Sequence, residues 1–446
     1  MKHSSYLILA CCLALATGCE LQETNIDPNV PVDVPLQTLL PPAEQSVANF
    51  LSGDAAVIAG IFSQYFVGFD ALVQPLDRYV VDNDFFMRPI WQDLYATSLV
   101  TLDLIVEKAE TQQSPHYAGV GKTLLALCLG TASSLWGDIP YSEALQGDEN
   151  LNPAYDSQEV LYQEVQRLLE EAIVDLSAEE SVFSPGDDDL LLGGNLERWK
   201  KAASTLKARF YLHIVKRSPS AAEQALNALA EGIDDPAADL RYTYNAQEFN
   251  PWFRYQQSTP NIRIDPLFRD LVDDDPREGA LIKVTFGEAR IGPFYASETS
   301  PLFLISYVEA RFLEAEALLR TAKPGAQQAL DEAVRTHIDL VTGGETPPAE
   351  IDDYLAANVQ LTGSLEEDLQ IVLTQKHIAS FTTIEGWTDF RRTGYPILPP
   401  NADGLNPQNP NGEIPRRFPY PLSEELFNAQ VPTPLPGLQD RFWWDQ

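Results

Sequence analysis

Residues 114–136 read SPHYAGVGKTLLALCLGTASSLW, and this stretch decides the fold. Its large apolar residues recur at spacings of three and four, which is the period of a helix that buries one face. Ser114 and Pro115 are residue types that begin helices. Cys128 lies in the most apolar part, where a cysteine is typical of a small core residue rather than of a nucleophile. The stretch therefore predicts a long core helix.

Similar helical periods surround this stretch. Residues 89–110 carry apolar residues at spacings of three and four, so the two segments predict an antiparallel helix pair. The layout returns at 156–210 and at 302–341, where the first helix is expected over Leu304–Arg320. A further helix is predicted after Ser364, which begins a capping box. Recurrent pairs of roughly 34 to 45 residues predict a mainly α fold with tetratricopeptide-like stacking.

The composition excludes one class of partner. The chain has 446 residues, 44% of them hydrophobic, which is enough apolar surface to build a folded core. Acidic residues outnumber basic ones by 65 to 30, giving a formal net charge of -35. A field of this sign repels phosphate backbones. We therefore expect no nucleic-acid partner.

The amino terminus predicts export and a lipid anchor. The apolar run Tyr6–Leu15 is too short to span a bilayer and is typical of a signal peptide over residues 1–18. Leu15-Ala16-Thr17-Gly18-Cys19 resembles a bacterial lipobox, so Cys19 is the expected lipidation site. The alternative is an ordinary secretory signal in which this cysteine is incidental. Residues 19–42 are polar and rich in proline, which predicts a tether that becomes an extended arm.

Residues that would carry catalysis or hold a cofactor are scattered. The mature chain has four single histidines, at positions 116, 213, 337 and 377, without metal-binding spacing. Val120-Gly121-Lys122-Thr123 imitates the end of a phosphate loop but lies inside the predicted core helix. The acidic runs Asp187–Asp189 and Asp273–Asp275 offer oxygens to Ca²⁺, yet they lack the spacing of a calcium loop, which favours solvated turns. We expect no cofactor and no catalytic residue.

Several motifs then point to one family. Residues 135–144 read LWGDIPYSEA, residues 385–396 read EGWTDFRRTGYP and residues 416–421 read RRFPYP. Three shorter motifs are NIDPN at 25–29, NLERWKK at 195–201 and DPR at 275–277. Together, in this order, they resemble the signatures of SusD-like (RagB/SusD) nutrient-binding outer-membrane lipoproteins of Bacteroidota.

The resemblance implies an architecture and a role. It implies one SusD-like domain over residues 43–446, with about four tetratricopeptide-like helix pairs and long irregular loops. It also implies a protein seated as a lid on a SusC-like TonB-dependent transporter, to which it delivers a bound oligosaccharide or peptide. Glu20 and Glu23 after the lipidated cysteine resemble an export signal, so we expect the protein to face the cell exterior.

The signature motifs themselves are expected to be structural. Trp136 and Trp387 are predicted to fill the core, and the paired arginines of the two late motifs are predicted to meet acidic residues on helices. The ligand is instead expected in the long segments without helical period, 66–88, 232–300 and 394–421.

Two loop clusters combine aromatic rings with planar polar groups, which stack on sugar faces and bind hydroxyls. Phe85, Phe86, Phe253 and Arg254 accompany them, and Phe294 with Tyr295 forms a third, smaller cluster. Phe85, Phe86 and Phe253 are alternatively packing residues buried under the loops. The predicted ligand-binding residues are Asp70, Gln74, Arg78, Tyr79, Asn83, Asp84, Trp252, Tyr255, Asn261, Arg263 and Tyr295.

Two other functions remain open at this point. A surface glycoside hydrolase would need two carboxylates at a fixed separation inside a cleft. A lipid-anchored tetratricopeptide-type adaptor would need an apolar concave helical face in place of a polar, aromatic pocket.

Overall fold

The computed structural model describes residues 34–69, 73–258, 262–406 and 409–446, apart from the side chains of Asp148, Ser258 and Asp403. The predicted signal peptide, Cys19 and most of the predicted tether lie outside the described residues, as do Asp70 and Asn261. Helices dominate the described part of the chain.

The helices follow one another with short connections through most of the chain. A π-helical segment, Asp93–Leu99, joins the helices Met87–Gln92 and Val100–Thr111 into one continuous helix. The helices are α1 Leu36–Ser52, α2 Asp54–Phe62, α3 Gln74–Asp77, α4 Met87–Gln92, α5 Val100–Thr111, α6 Pro115–Trp136, α7 Gln158–Leu176, α8 Leu196–His213, α9 Ala221–Leu229, α10 Pro251–Ser258, α11 Pro266–Leu271, α12 Glu278–Leu281, α13 Tyr307–Arg320, α14 Ala326–Thr342, α15 Pro348–Asn358, α16 Leu365–Ala379, α17 Glu385–Thr393 and α18 Leu422–Phe427.

The strands are short and form antiparallel pairs, β1 with β5, β2 with β3, β4 with β8 and β6 with β7. Most of them belong to the segment between α9 and α13, which we call the insertion, residues 230–306. The strands are β1 Phe66–Gly68, β2 Ile139–Pro140, β3 Tyr155–Asp156, β4 Leu240–Tyr242, β5 Ile262–Ile264, β6 Ile282–Thr285, β7 Glu288–Ile291 and β8 Leu302–Ile305.

The helices stack in pairs. α5 packs on α6, α6 on α7, α7 on α8 and α8 on α9. The stack then continues across the insertion, because α9 packs on α13, and α13 packs on both α14 and α16. This succession confirms the predicted mainly α fold with tetratricopeptide-like helix pairs.

Helix α6 is the centre of the stack. Every residue from His116 to Trp136 is buried, because neighbouring helices cover all faces of α6. Two glycines permit close helix contacts: a Cβ at Gly130 would lie 2.3 Å from the Phe210 ring, and one at Gly119 2.6 Å from Cγ of Leu176. Among the described residues, α6 is the one helix long and apolar enough to cross a membrane, and its burial accounts for that composition.

Two predicted boundaries are wrong. Residues 36–42 are helical and not an extended arm, because Leu36 and Leu40 lie on the buried face of α1. Burial of that face outweighs the hydrogen bonds lost at Pro41 and Pro42, which lie inside the helix. The helix predicted from Leu304 instead begins after Ser306.

Helix α13 begins after Ser306 because a strand precedes this residue and its side chain caps the helix. Strand β8, Leu302–Ile305, pairs with β4, so these apolar residues are extended rather than helical. The Ser306 side chain then accepts a hydrogen bond from the backbone N–H of Glu309 at 3.2 Å, which fixes the start of α13.

The signature motifs meet in one aromatic core. The Trp136 ring lies 5.1 Å from that of Trp91 and 5.8 Å from that of Phe418, and its indole N–H donates to Pro419 O at 3.0 Å. Trp387 stacks on Phe418 at 5.2 Å. Both tryptophans are fully buried, which confirms their predicted role in the core.

The arginines of the late motifs hold backbone as well as acids. Arg391 donates to the carbonyl oxygens of Ser134 and Arg416, at 2.6 and 2.8 Å, and lies 3.6 Å from the centroid of the Trp387 ring. Burial lowers the pKa of Arg391 to about 9, so the guanidinium is charged at neutral pH. The expectation of a helix-borne acid is therefore wrong for Arg391, because α6 offers it carbonyls instead.

Arg392, in contrast, meets two carboxylates. It pairs with Glu316 of α13 at 2.5 Å and with Asp389 at 2.7 Å, and Asp389 also binds Lys376 at 2.8 Å. Burial alone would raise the pKa of Glu316, but the facing Arg392 and Arg320 outweigh it and hold that pKa well below its usual range. This network joins α13, α16 and α17.

The insertion is tied to the stack by Arg277 of the DPR motif. Its guanidinium makes a bidentate ion pair with Asp275, with nitrogen–oxygen distances of 2.8 and 2.7 Å, and donates to Gln375 of α16 at 2.7 Å. Both charged side chains are buried. The carboxylate of Asp275 therefore binds Arg277, and it is not free to bind Ca²⁺.

The N-terminal helix is held by a buried acid pair. Glu44 of α1 is fully buried and accepts a hydrogen bond from the Leu190 N–H at 2.7 Å. Asp189 accepts from three backbone N–H groups and from the Trp199 indole. Burial, followed by the charge of Asp189, raises the pKa of Glu44 well above its ordinary 4.5.

We predict that Trp136→Ala lowers the free energy of unfolding by about 3–5 kcal/mol, because it empties the centre of the aromatic core and removes the bond to Pro419. Urea unfolding followed by circular dichroism measures the change. Phe427→Ala is the matched control, since Phe427 is 77% exposed and should be within about 0.5 kcal/mol of the parent. Equal stability of both variants would contradict the prediction.

We also predict that Glu44→Gln stabilises the protein at pH 8 by about 1 kcal/mol or more. A raised pKa in the folded state makes Glu44 bind its proton more tightly there than in the unfolded chain, so its contribution falls as pH rises above 4.5. The gain from Gln should shrink toward pH 4.5. Unfolding titrations at both pH values test this, with the exposed Glu107→Gln as control; a gain independent of pH would refute it.

Candidate functional site

The two loop clusters predicted from sequence are joined by strand pairing. Strand β1 follows α2 and pairs with β5, so that Val67 lies opposite Arg263. Phe66 of β1 contacts Trp252 of α10, with ring centroids 5.2 Å apart. The segment just before the first cluster therefore packs against the second cluster.

The first cluster is partly buried. Tyr79 is 2% exposed and lies 5.8 Å from Phe62 ring to ring, so it offers no face to a ligand; burial raises its pKa to about 12. Asn83 donates to Glu425 at 2.5 Å, and Asp84 pairs with Arg88 at 3.1 Å. Tyr79 therefore lies in the core, whereas Asn83 and Asp84 are half-buried and paired within the protein. Ligand contact by these three residues stays a prediction.

Two residues of that cluster remain at the surface. Gln74 and Arg78 lie at the two ends of the short helix α3, and both are exposed. The 401–406 segment covers the neighbouring backbone: Asn401 donates to Asp77 O at 2.8 Å and Asn406 to Arg78 O at 3.3 Å. Their contact with a ligand stays a prediction.

The large rings of the second cluster, and Tyr295 with them, lie mostly inside the protein. Trp252 is 2% exposed and covered by Phe66, and Tyr295 is buried with its hydroxyl 3.1 Å from Nε2 of His337. Tyr255 is partly buried and packs against the main core. Trp252 and Tyr255 lie three residues apart on α10, so both face inward.

The outward face of α10 carries different residues. Phe253, Gln256 and Gln257 follow the i, i+3, i+4 spacing and point away from the core. Asn250 fixes this orientation, because its side-chain oxygen accepts from the N–H groups of Trp252 and Phe253, at 2.8 and 3.2 Å. Neither glutamine was predicted from the sequence. A helix that begins after Asn250-Pro251 would place both on the face away from Trp252, and this was the signal that could have identified them.

These residues line an open groove of about 470 Å³, which we call the α10 groove. One wall is α10, the other is the hairpin β6–β7, and residues 291–298 form the floor. The groove is lined by Phe253, Gln256, Gln257, Lys283, Thr285, Arg290, Ile291, Pro293, Ala296, Ser297 and Glu298. It combines one aromatic ring with amide, hydroxyl and charged groups.

The hairpin wall carries two cations side by side. Lys283 and Arg290 lie directly opposite each other in the β6–β7 register, and Thr285 and Glu288 form the next pair on the same face. Glu288 binds both Arg290, at 2.9 Å, and Arg263 of β5, at 2.5 Å. The hydrogen bond from Arg290 contributes most to lowering the pKa of Glu288.

Exposed rings border this face. The guanidinium of Arg263 lies 3.2 Å from the ring centroid of Phe69, which is 53% exposed. Phe286 is fully exposed in the hairpin turn, where both it and Gly287 have positive φ, 52° and 81°. A non-glycine residue in that region is strained, so the turn holds an aromatic ring in solvent at an energetic cost.

A smaller cavity lies beneath the groove but does not suit a sugar. Its volume is about 60 Å³, and Trp252, Tyr295 and His337 are among its lining residues. That is room for about two water molecules. Within the part of the chain that the structure describes, no group of three or more His, Cys, Asp or Glu side chains is arranged to hold a metal ion.

Comparison with known families gives a match over most of the chain. The sequence profile of a SusD-like family, described as "Starch-binding associating with outer membrane", matches residues 28–293 and 286–421. No functionally curated protein matches the chain.

Solved structures share the fold. A SusD/RagB family protein from Bacteroides thetaiotaomicron is 21% identical, over 93% of this chain and 99% of that one, with a TM-score of 0.78. A SusD homolog from Bacteroides fragilis is 22% identical, over 92% and 100%, with a TM-score of 0.77. A chitin-binding SusD homolog from Flavobacterium johnsoniae is 22% identical, over 92% and 98%, with a TM-score of 0.80.

Proposed function

The chain belongs to the SusD-like family, and on this premise we propose that it is a non-catalytic outer-membrane protein that binds an oligosaccharide in the α10 groove. The finer role follows the family resemblance. The protein is anchored by lipid on Cys19, faces the cell exterior and passes its ligand to a SusC-like TonB-dependent transporter, over which it acts as a lid.

The α10 groove is the observation that carries this proposal. Sugars present flat C–H faces that pack on aromatic rings, and hydroxyls that exchange hydrogen bonds with amides. Phe253 supplies a ring, while Gln256 and Gln257 supply amides on the same helix face. At about 470 Å³ the groove is within the usual size of a small-ligand site.

The proposed ligand is a saccharide rather than a peptide. An extended peptide usually adds to the edge of a sheet, or its side chains enter apolar pockets. The lining of the groove is mostly polar, so it offers no apolar pockets for the side chains of a peptide. The structural relative from Flavobacterium johnsoniae, described as chitin-binding, supports a saccharide ligand for this fold.

The groove is poorly equipped for hydrolysis. Glycosidases use two carboxyl groups on either side of the scissile bond. The described residues that line the groove include a single carboxylate, Glu298. Glu288 lies on the hairpin β6–β7 and is occupied by two arginines. The proposal is therefore binding without turnover.

An adaptor for protein partners is also less well supported. The cleft of about 550 Å³ along α7, α8 and α9 is lined by Lys200, Lys201 and Lys207 rather than by an apolar surface. These lysines pair with Glu197, Asp234 and Glu170. A paired, polar cleft does not match the apolar face that a helical adaptor uses.

We predict that Phe253→Ala weakens oligosaccharide binding by about tenfold, because it removes the stacking surface of the groove while leaving Trp252 in the core. Calorimetric titration with a panel of neutral and acidic oligosaccharides measures the affinity. Phe427→Ala, which removes an exposed ring elsewhere, should bind like the parent. An unchanged affinity in folded Phe253→Ala would place the ligand outside the groove.

We also predict that the full-length protein, tagged at Gln446 and extracted in detergent, co-purifies with a TonB-dependent barrel in stoichiometric amount. Mass spectrometry of the purified complex identifies the partner. Cys19→Ser should abolish labelling by radioactive palmitate and release the protein from the membrane fraction. Purification without a barrel from a strain that grows on the bound glycan would refute the transporter role.

A further inference from the structure

The α10 groove has a charge that differs in sign from the rest of the protein. The chain carries 65 acidic and 30 basic residues, yet the groove lining contains two basic residues, Lys283 and Arg290, and one acidic residue, Glu298. Since acidic residues outnumber basic ones in the chain as a whole, a groove lining with more basic than acidic residues requires an explanation.

The positions of the two basic residues indicate what that explanation is. Lys283 and Arg290 are direct cross-strand partners, and like charges in that position destabilise an antiparallel pair. A nearby acid relieves only part of the repulsion. Glu288 is shared between Arg290 and Arg263, so these two cations have one carboxylate between them.

Lys283 is the unsatisfied member of the group. Its side chain is exposed, and no carboxylate of the described residues lies within ion-pair distance of it. Arg290 stands beside it with planar donors suited to carboxylate or sulfate oxygens. The pair thus presents a positive site to whatever lies along Phe253 in the groove.

We infer that the groove selects an anionic saccharide, one that bears carboxylate or sulfate groups, and that Lys283 and Arg290 bind those groups. This inference rests on the proposed function and narrows it. The sugar ring packs on Phe253, and its hydroxyls meet Gln256 and Gln257. Its acidic group supplies the negative charge that Lys283 and Arg290 lack.

The arrangement also explains the position of Glu288. By holding Arg263 over Phe69 and Arg290 in the groove, it orders both guanidinium groups before a ligand arrives. Ordering in advance reduces the entropy lost on binding. Glu288 is a positioning residue in this scheme, and it does not touch the saccharide.

The test is calorimetric titration of the full-length protein in detergent with three kinds of probe. Oligogalacturonate carries carboxylates, chondroitin sulfate oligosaccharide carries sulfates as well, and maltoheptaose and chitohexaose are neutral. We expect an acidic probe to bind at least about tenfold more tightly than either neutral probe, and its affinity to fall as sodium chloride is added.

Two variants and a control assign the effect to the groove. Lys283→Gln and Arg290→Gln should each weaken binding of the acidic probe by about tenfold and leave any neutral probe unaffected. Lys323→Gln removes the same charge from a distant turn, where Lys323 pairs with Glu223, and should change nothing. Circular dichroism confirms that each variant is folded.

The outcomes separate the two proposals. Equal binding of neutral and acidic probes, reduced by Phe253→Ala but not by Lys283→Gln, would overturn the inference and leave the proposed function standing. Loss of acidic binding in Lys323→Gln as well would show a general charge effect and also overturn it. No binding of any saccharide, or tighter binding of an oligoglutamate peptide, would overturn both.

Discussion

The fold depends on one buried guanidinium, that of Arg391. The last turn of the core helix α6 leaves carbonyl oxygens without partners inside the helix, and Arg391 supplies a donor to Ser134 O while also binding Arg416 O. Its face lies on the Trp387 ring, so the charge is desolvated against an aromatic surface instead of an anion. Arg391 thereby joins the central helix, helix α17 and the C-terminal segment, and the motifs that identify the family are the residues around it.

A scaffold held in this way leaves the insertion free to carry specificity. Arg277 ties the insertion to α16 through Gln375, and the β1–β5 pairing ties it to the residues that follow α2. The groove-lining residues lie between these two attachments, on a short helix and a hairpin whose outer faces have no part in the core. If the groove binds the ligand as proposed, substitution there would change what is bound without disturbing the helix stack, so one fold could serve different ligands.

The helix stack was predictable because burial imposes a period of 3.6 residues, and that period is readable in α6 and its neighbours. The site was predictable only to the level of the segment. Composition selected Trp252 and Tyr295, but both rings are buried, while Phe253, the neighbour of Trp252 on α10, lines the groove. A shift of one residue along α10 separates a core residue from a groove-lining residue, and the hydrogen bonds of Asn250 fix that orientation. The helical structure of residues 36–42 was also not predictable. Pro41 and Pro42 usually indicate the end of a helix, whereas burial of the apolar face of α1 stabilises the helix here.

The acidity of the chain and the cationic wall of its groove act over different distances. Salt screens charges beyond about 8 Å under physiological conditions, so the net charge of -35 has little influence inside a groove whose walls carry their own charges at contact distance. An anion that approaches elsewhere meets repulsion, whereas one that reaches the groove meets Lys283 and an Arg290 guanidinium already ordered by Glu288. The inferred selection for an acidic sugar is therefore local and geometric, because it depends on contacts within the groove and not on the net charge of the chain.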